Sequence, residues 1–449
     1  MTLALIDVPR CVDVDAAYVG APRASASTSR SDGIWGAEVP GLGTWAFRRT
    51  AVEQCLDTAG VLRSYREPLE GETWLTPAAS ERRLLAQVNA ILALGPDALA
   101  DVKRLALDAD VPEPARVFAA LFVLGSSAGR RWLAPAADAF VTAAVRSANE
   151  AAAAIEALSL CPNPEIGALL AASLGDSRPR VRASAILILA YRHELSESQW
   201  QAALQDDDFT VVAATLTAPL DRYDRPGCHR AFQRLFAADP GETVTKLALR
   251  AALAIGLEFA YVRAHEIVRH DPTWAAAAYI LALADDLPAA RVRDMLDGPS
   301  IDDGVRAAGV LGDLDLIPDL LELVDRPSSP AGTRAAAKQA LATITGLDFH
   351  VVDDPVQAIA LWSAHEARFR RGVRYRRGEP WSLEGLYRCL QVGPASRSVR
   401  QETYFEMRVA TQSRLPRFSA YDFVAVQRTS LARIEQWLAA SPRAAKAGR

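Results

Sequence analysis

The chain alternates short polar turns with alanine-rich apolar runs, and the turns recur at a nearly constant interval. "DSRPRVRASAILILA" starts at Asp176, "DDDFTVVAATLTA" at Asp206, "DPGETVTKLALRAALAIG" at Asp239 and "DPTWAAAAYILALA" at Asp271. "SIDDGVRAAGVLG" follows at Ser300 and "SSPAGTRAAAKQALATITG" at Ser328. Successive starts lie 30, 33, 32, 29 and 28 residues apart, the length of one helix–turn–helix unit. Within the runs, Val181, Ala185, Ile186 and Leu189 fall at helical spacing, as do Leu247, Leu249, Ala252, Leu253 and Ile255. Asp or Ser ahead of a run can accept from the free N–H groups of a first helical turn. Pro179, Pro240, Pro272 and Pro330 are placed for that turn, where a proline forfeits no bond. The pattern predicts stacked helical hairpins, with alanine letting neighbouring helices approach closely.

The two ends follow other patterns. Residues 1–44 hold a small, polar stretch, "APRASASTSRSDG", between "LALIDV" with "CVDVDAAYV" and the first helical pattern, so short strands or extended arms are expected there. Helical periodicity resumes at Trp45, and "SERRLLAQVNAILALG" (Ser80–Gly95) reads as a capped amphipathic helix. After Gly346 the register stops. One helix is expected in "DPVQAIALWSAHEARFRRG" and two more in "SRSVRQETYFEMRVATQ" and "SAYDFVAVQRTSLARIEQWL", in a region dense in aromatic residues. The expected division is therefore 1–44 extended or flexible, 45–107 N-terminal helices, 108–346 repeats, and 347–449 a basic, aromatic-rich helical cap.

"DSRPRVRASAILILA", with its turn, acidic residue and V-R-A-x-A helix, resembles the short bacterial type of the HEAT-repeat family. "DDGVRAAGVLG" and "SPAGTRAAAKQALATITG" match the same pattern, and the resemblance covers roughly 108–346. It implies an all-α fold, a HEAT-like α-solenoid in which helical hairpins wind into a right-handed superhelix with a concave binding surface, closed by a helical C-terminal cap. "RYRRGEP" and "LYRCLQVGPASRSVRQETYFEMRVATQ" resemble the C-terminal part of an uncharacterised family of bacterial HEAT-repeat proteins, at Arg374, Tyr375, Gly378, Pro380, Leu390, Gly393 and Arg400. Members of that family tend to be encoded beside type VI secretion components, including spike-tip proteins and effector adaptors. The first hundred residues here lack the His- and Glu-rich opening helix of that family.

Composition adds bounds. Half of the 449 residues are hydrophobic, enough for a large core, and the net charge is only −4. That mean hides an asymmetry: residues 350–449 carry 17 Lys/Arg against 9 Asp/Glu, leaving 33 against 45 for the rest. The scattered cysteines Cys11, Cys55, Cys161, Cys228 and Cys389 suit neither a disulfide framework nor a zinc site, and point to a reducing compartment. "MTLALIDVPRCVDVD" is not the pattern of a secretory leader, and no apolar run approaches the ~20 residues of a membrane span. A cytoplasmic protein without membrane insertion is expected.

Candidate chemistry is sparse. "LFVLGSSAG" spells Gly-x-Ser-x-Gly around Ser127, but a nucleophile elbow follows a buried strand, and "ARVFAALFVL" (Ala115–Leu124) reads as a helix with Gly125 as its stop. His265 and His270 are five apart in "HEIVRH", about 140° around a helix, so they cannot share a metal from one face. Cys228–His229 lacks the second pair that a metal site needs. Asp206–Asp208 sit at a helix start and read as capping. Arg182, Arg306 and Arg334 recur at equivalent repeat positions and read as a ladder bridging adjacent repeats.

"ARFRRGVRYRRG" holds Arg368, Arg370, Arg371, Arg374, Arg376 and Arg377. Three readings stay open for it: phosphate contact, an acidic protein partner, or the acidic repeat region of the same chain. Trp274 breaks a small-residue helix and reads as a hot spot or as core packing. The candidate partner-binding residues are Arg371, Arg374, Tyr375, Arg376, Arg377, Trp381 and Trp274, and no catalytic, cofactor or metal residue is expected. The resulting expectation is a non-catalytic scaffold or adaptor for another protein, in type VI secretion if the resemblance extends so far. The alternative is a HEAT-like enzyme, a DNA glycosylase or a bilin-lyase-like protein, with nucleic acid disfavoured by the acidic repeats.

Overall fold

The computed structural model describes residues 8–14, 44–69, 71–108, 113–270, 275–284, 287–352, 354–392 and 396–440. These residues are mostly helical, as the periodicity predicts, with almost no strand, and fall into two compact units. One comprises 1–68, 74–219 and 422–426; the other comprises 69–73, 220–421 and 427–449.

The first unit contains α1 (Thr44–Ser64), α2 (Ala78–Ala93), α3 (Pro96–Val102), α4 (Pro114–Ser126), α5 (Leu133–Arg146) and α6 (Ala148–Leu160). It continues with α7 (Ile166–Ala171), α8 (Pro179–Tyr191), α9 (Glu197–Ala203) and α10 (Phe209–Thr215). Packing follows alternate helices: α4 lies against α1 and α6, α6 against α8, and α8 against α10. The apolar α4 is the centre of this row, with Phe118, Leu121, Phe122 and Leu124 fully buried.

On α4 one expectation changes and another holds. Gly125 does not stop the helix, which runs one residue further. Its role is close approach, because a Cβ there would overlap the Cys161 sulfur. Ser127 is fully buried with its Oγ donating to the Leu124 carbonyl at 2.6 Å, so it is a capped helix end and not an exposed nucleophile. In the N-terminal segment only 8–14 are described, and there Val12 does pair as an extended arm, its N–H donating to Ser126 O at 2.9 Å. Ser80 lies inside α2 and Pro77 holds the cap position, without a side-chain bond. Pro179 opens α8, whereas Pro330 is itself a cap and Pro240 precedes one; Pro272 lies outside the described residues.

Of the acidic residues expected to cap at Asp206–Asp208, Asp208 does so, whereas Asp206 pairs with an arginine. Asp208 caps α10 through the Thr210 N–H, and Asp206 takes a two-pronged bond from Arg182 at 2.7 Å. Asp176 accepts from the Arg178 guanidinium and amide, which holds its carboxyl down at about 2 against an ordinary 3.8. A carboxylate with a depressed folded pKa stabilises above its unfolded value and loses that contribution as pH falls through the folded one. The first unit is therefore expected to lose stability between about pH 4 and pH 2. Urea midpoints measured across that window should fall less steeply for Asp176→Asn.

The second unit contains α11 (Arg225–Ala237), α12 (Glu242–Ala254), α13 (Glu258–His270), α14 (Ala275–Leu283), α15 (Ala289–Leu296) and α16 (Ile301–Leu311). After these come α17 (Ile317–Asp325), α18 (Ala331–Thr345), α19 (Pro355–Ser363), α20 (Leu383–Val392) and α21 (Arg397–Ala410). In α22 (Val424–Ala440) the residues from Gln427 onward belong to this unit. Alternate helices again pack together, α12 on α14, α14 on α16 and α16 on α18, while α21 lies against α12 and α20. Between α19 and α20 the chain forms a short antiparallel hairpin, β1 (Tyr375–Arg376) and β2 (Glu379–Pro380). No helix among the described residues is long and apolar enough to cross a membrane.

Candidate binding cavity

The arginine-rich stretch folds inward as this hairpin. Its two-residue loop is Arg377–Gly378, with φ of 51° and 79°, and positive φ at both central residues is the geometry that matches strand twist in a tight hairpin. Glycine supplies it freely at 378. Arginine does not at 377, where a left-handed backbone costs about 1–2 kcal/mol.

The hairpin plugs the C-terminal ends of two neighbouring helices. Gly312 and Gly346 end α16 and α18 in the left-handed conformation, and a Cβ on either would strike the hairpin backbone at Tyr375 or Arg377. The hairpin amides donate to free carbonyls of α18: Arg377 N to Thr343 O at 2.7 Å and Gly378 N to Ile344 O at 2.9 Å. Arg374 Nε donates to Leu311 O at 2.5 Å, and Arg376 donates to Val310 O at 2.6 Å and to Gly309 O. Cations at the end of α16 also answer its dipole. Arg376 further holds Glu406 on α21 with two bonds, at 2.7 and 3.0 Å, and Trp381 Nε1 donates to the same carboxylate at 2.7 Å. The Arg374 guanidinium covers the Trp381 ring at 5.0 Å.

Beside the hairpin lies a cavity of about 750 Å³, open to solvent and walled by α12, α14, α16, α18 and α21. Its walls are largely apolar, through Leu247, Ile280, Leu283, Val305, Val310 and Ala340. Five cations reach it, Lys246, Arg250, Arg306, Arg376 and Arg377, against three carboxylates, Asp303, Glu402 and Glu406. Arg250 lies over the Phe405 ring at 3.6 Å and binds Glu402 at 2.7 and 2.8 Å. Tyr279 donates to Glu402 at 3.2 Å, and burial first, then the Glu402 charge, push its hydroxyl up to about 12. Thus Glu402 and Glu406 are each held by their own arginine. Lys246 binds Glu242 at 2.6 Å, and Arg306 approaches Asp303 only to 3.8 Å while staying largely exposed.

Arg377 differs from all of these. Its guanidinium makes no hydrogen bond or ion pair with any described residue, and its NH2 nitrogen is buried. Burial is the main cause, with Arg376 beside it, of a pKa lowered to about 10. A second cavity, of about 590 Å³, is lined by Arg326, Arg334, Lys338 and His350. There Arg334 donates to Ser329 O and Lys338 to Val352 O, both at 2.5 Å, so each cation already has an acceptor.

The seven residues singled out from sequence separate accordingly. Arg371 is exposed. Tyr375 and Arg376 are buried, Arg374 and Trp381 are half-buried, and all four hold the hairpin in place. Arg377 faces the cavity, and Trp274 lies outside the described residues. Of the arginines read as a ladder, Arg182 bridges to the next repeat; among the described residues Arg306 and Arg334 make no such bridge and line the two cavities. Sequence reading missed Lys246, Arg250, Tyr279 and Glu402. A signal existed in Lys246 and Arg250, two cations one turn apart on the same face of a largely apolar helix. No group of three or more His, Cys, Asp or Glu placed to hold a metal occurs among the described residues. No known family model matches the chain, and no curated protein matches it closely enough to count.

Proposed function

We propose that this protein is a non-catalytic adaptor that receives a segment of another protein in the cavity of its second unit. The observation that carries this reading is the cavity itself. It combines apolar walls with a surplus of positive charge, while its two inner carboxylates are clamped by arginines instead of standing ready as acid or base. Pockets of several hundred Å³ that are mostly apolar, with a few fixed polar groups, are built for recognition. The ~30-residue spacing and the packing of alternate helices support a HEAT-like repeat architecture. The likeness of the hairpin sequence to a family encoded near type VI secretion components supports an effector or spike protein as the partner, met in the cytoplasm.

The test is affinity purification from the native host with mass spectrometry, comparing wild type with Ala336→Trp, which fills the cavity from a partly exposed position on α18. A stoichiometric protein retained by wild type and lost by the folded variant is the expected result. Equal retention by both, or recovery of nucleic acid alone, would overturn the reading.

A further inference from the structure

Resting on that reading, we infer that Arg377 is the anchor of the cavity and that the group it takes is a carboxylate of an acidic-apolar peptide segment. Three independent features of this one residue converge. Its backbone is held at φ 51°, a conformation that arginine adopts at a cost. Its side chain is desolvated beside a second arginine, without a carboxylate in reach, and its NH2 donor is left unbonded in a protein whose buried donors are otherwise largely bonded. The residue lines an open cavity, so an incoming acceptor can approach the part of its guanidinium that is not buried with NH2. A residue kept only for the fold would not combine all three: the hairpin needs the Arg377 amide, which any residue but proline supplies, but not its guanidinium.

The chemistry of the occupant follows from charge and shape. Glu402 and Glu406 are already satisfied by Arg250 and Arg376, so the unmet positive charge lies at Arg377, with Arg306 at the rim. One carboxylate accepts from a guanidinium edge with matched geometry. The apolar walls ask for hydrophobic side chains on either side of that carboxylate. A phosphate dianion would want more donors than one unmet guanidinium and would find apolar walls around it.

The experiment is a selection of short random peptides displayed on phage against the full-length protein, with Ala336→Trp as counter-selection. Leu247→Glu, which places a carboxylate among the same cations, serves as a second counter-selection should the first variant fail to fold. The expected peptides carry Asp or Glu beside apolar residues. Synthetic versions should weaken about tenfold or more when the acid is changed to its amide. Cavity-dependent peptides without an acid would overturn the carboxylate inference and leave the adaptor reading standing. Enrichment that neither variant abolishes would overturn both.

A second readout separates function from structure. Arg377→Asn creates Asn-Gly, the favoured pair for this loop, and removes the desolvated charge. Its thermal midpoint should rise while affinity for the selected peptides falls about tenfold or more. A lowered midpoint, or unchanged affinity, would show that the arginine serves the fold and would overturn the proposal.

Discussion

Replacing Arg376 by methionine is expected to cost the second unit about 3–5 kcal/mol, the usual penalty for stranding one member of a buried ion pair. The side chains of Arg376 and Glu406 are only 5% and 6% exposed. Methionine fills much of the arginine volume, so packing is nearly kept and the loss is electrostatic. Glu406 would retain the Trp381 indole N–H as its bonded partner, the Gly309 carbonyl at the end of α16 would lose its charged donor, and the Val310 carbonyl would keep only the longer bond from Arg374, at 3.3 Å. Urea unfolding, followed by a probe confined to the second unit, measures the effect. Arg376→Met combined with Glu406→Leu should recover most of it, since deleting both charges leaves neither unpaired. A single variant within about 1 kcal/mol of wild type would mean that the pair does not hold the hairpin.

The helices were legible in the sequence because each is a local matter. Apolar residues at helical spacing and a polar turn suffice to call for a helix, and α8, α10, α12, α14, α16 and α18 all fall on the six repeated runs. The hairpin was not legible. "YRRGEP" has only a glycine to mark it, and an arginine occupies the position where asparagine or glycine would have announced a tight turn. Gly125 misled for a related reason: near the end of an apolar run it reads as a stop, whereas its requirement comes from Cys161, dozens of residues away.

The cavity shows the limit most clearly. Its lining draws on residues from Lys246 to Glu406, on four helices of the repeated pattern, one beyond it, and a turn. Sequence could flag a cluster of arginines, but not which were consumed by carbonyls and carboxylates and which was left over. Arg374, Arg376 and Arg377 are near neighbours in the chain and have three different fates, decided by α16, α21 and the cavity.

The counterpart of Arg376 in the first unit is Arg66, and Arg66→Met is expected to cost that unit a similar 3–5 kcal/mol. The Arg66 side chain is fully buried; it donates to Glu81 at 3.2 Å and to Glu156 at 2.6 Å, with its guanidinium 4.6 Å from the centre of the Phe423 ring. Glu81 is the critical partner. Its side chain is 4% exposed, and its other oxygen accepts the Val424 amide at 2.7 Å, so one carboxylate ties α2 and the segment 422–426 to Arg66. Glu156 is 27% exposed, can turn to water, and contributes less to the penalty. The variant should therefore fail locally before it fails globally, with 422–426 losing both the cation over Phe423 and a well-placed acceptor for Val424. Hydrogen exchange read at the Val424 amide tests this directly. Exchange there should accelerate well beyond that of amides in α4, whose bonds do not pass through Glu81, and Glu81→Gln should accelerate it less, because a neutral amide still accepts. Equal acceleration throughout the unit would show a general loss of packing and would sink the claim that Arg66 and Glu81 form a specific clasp.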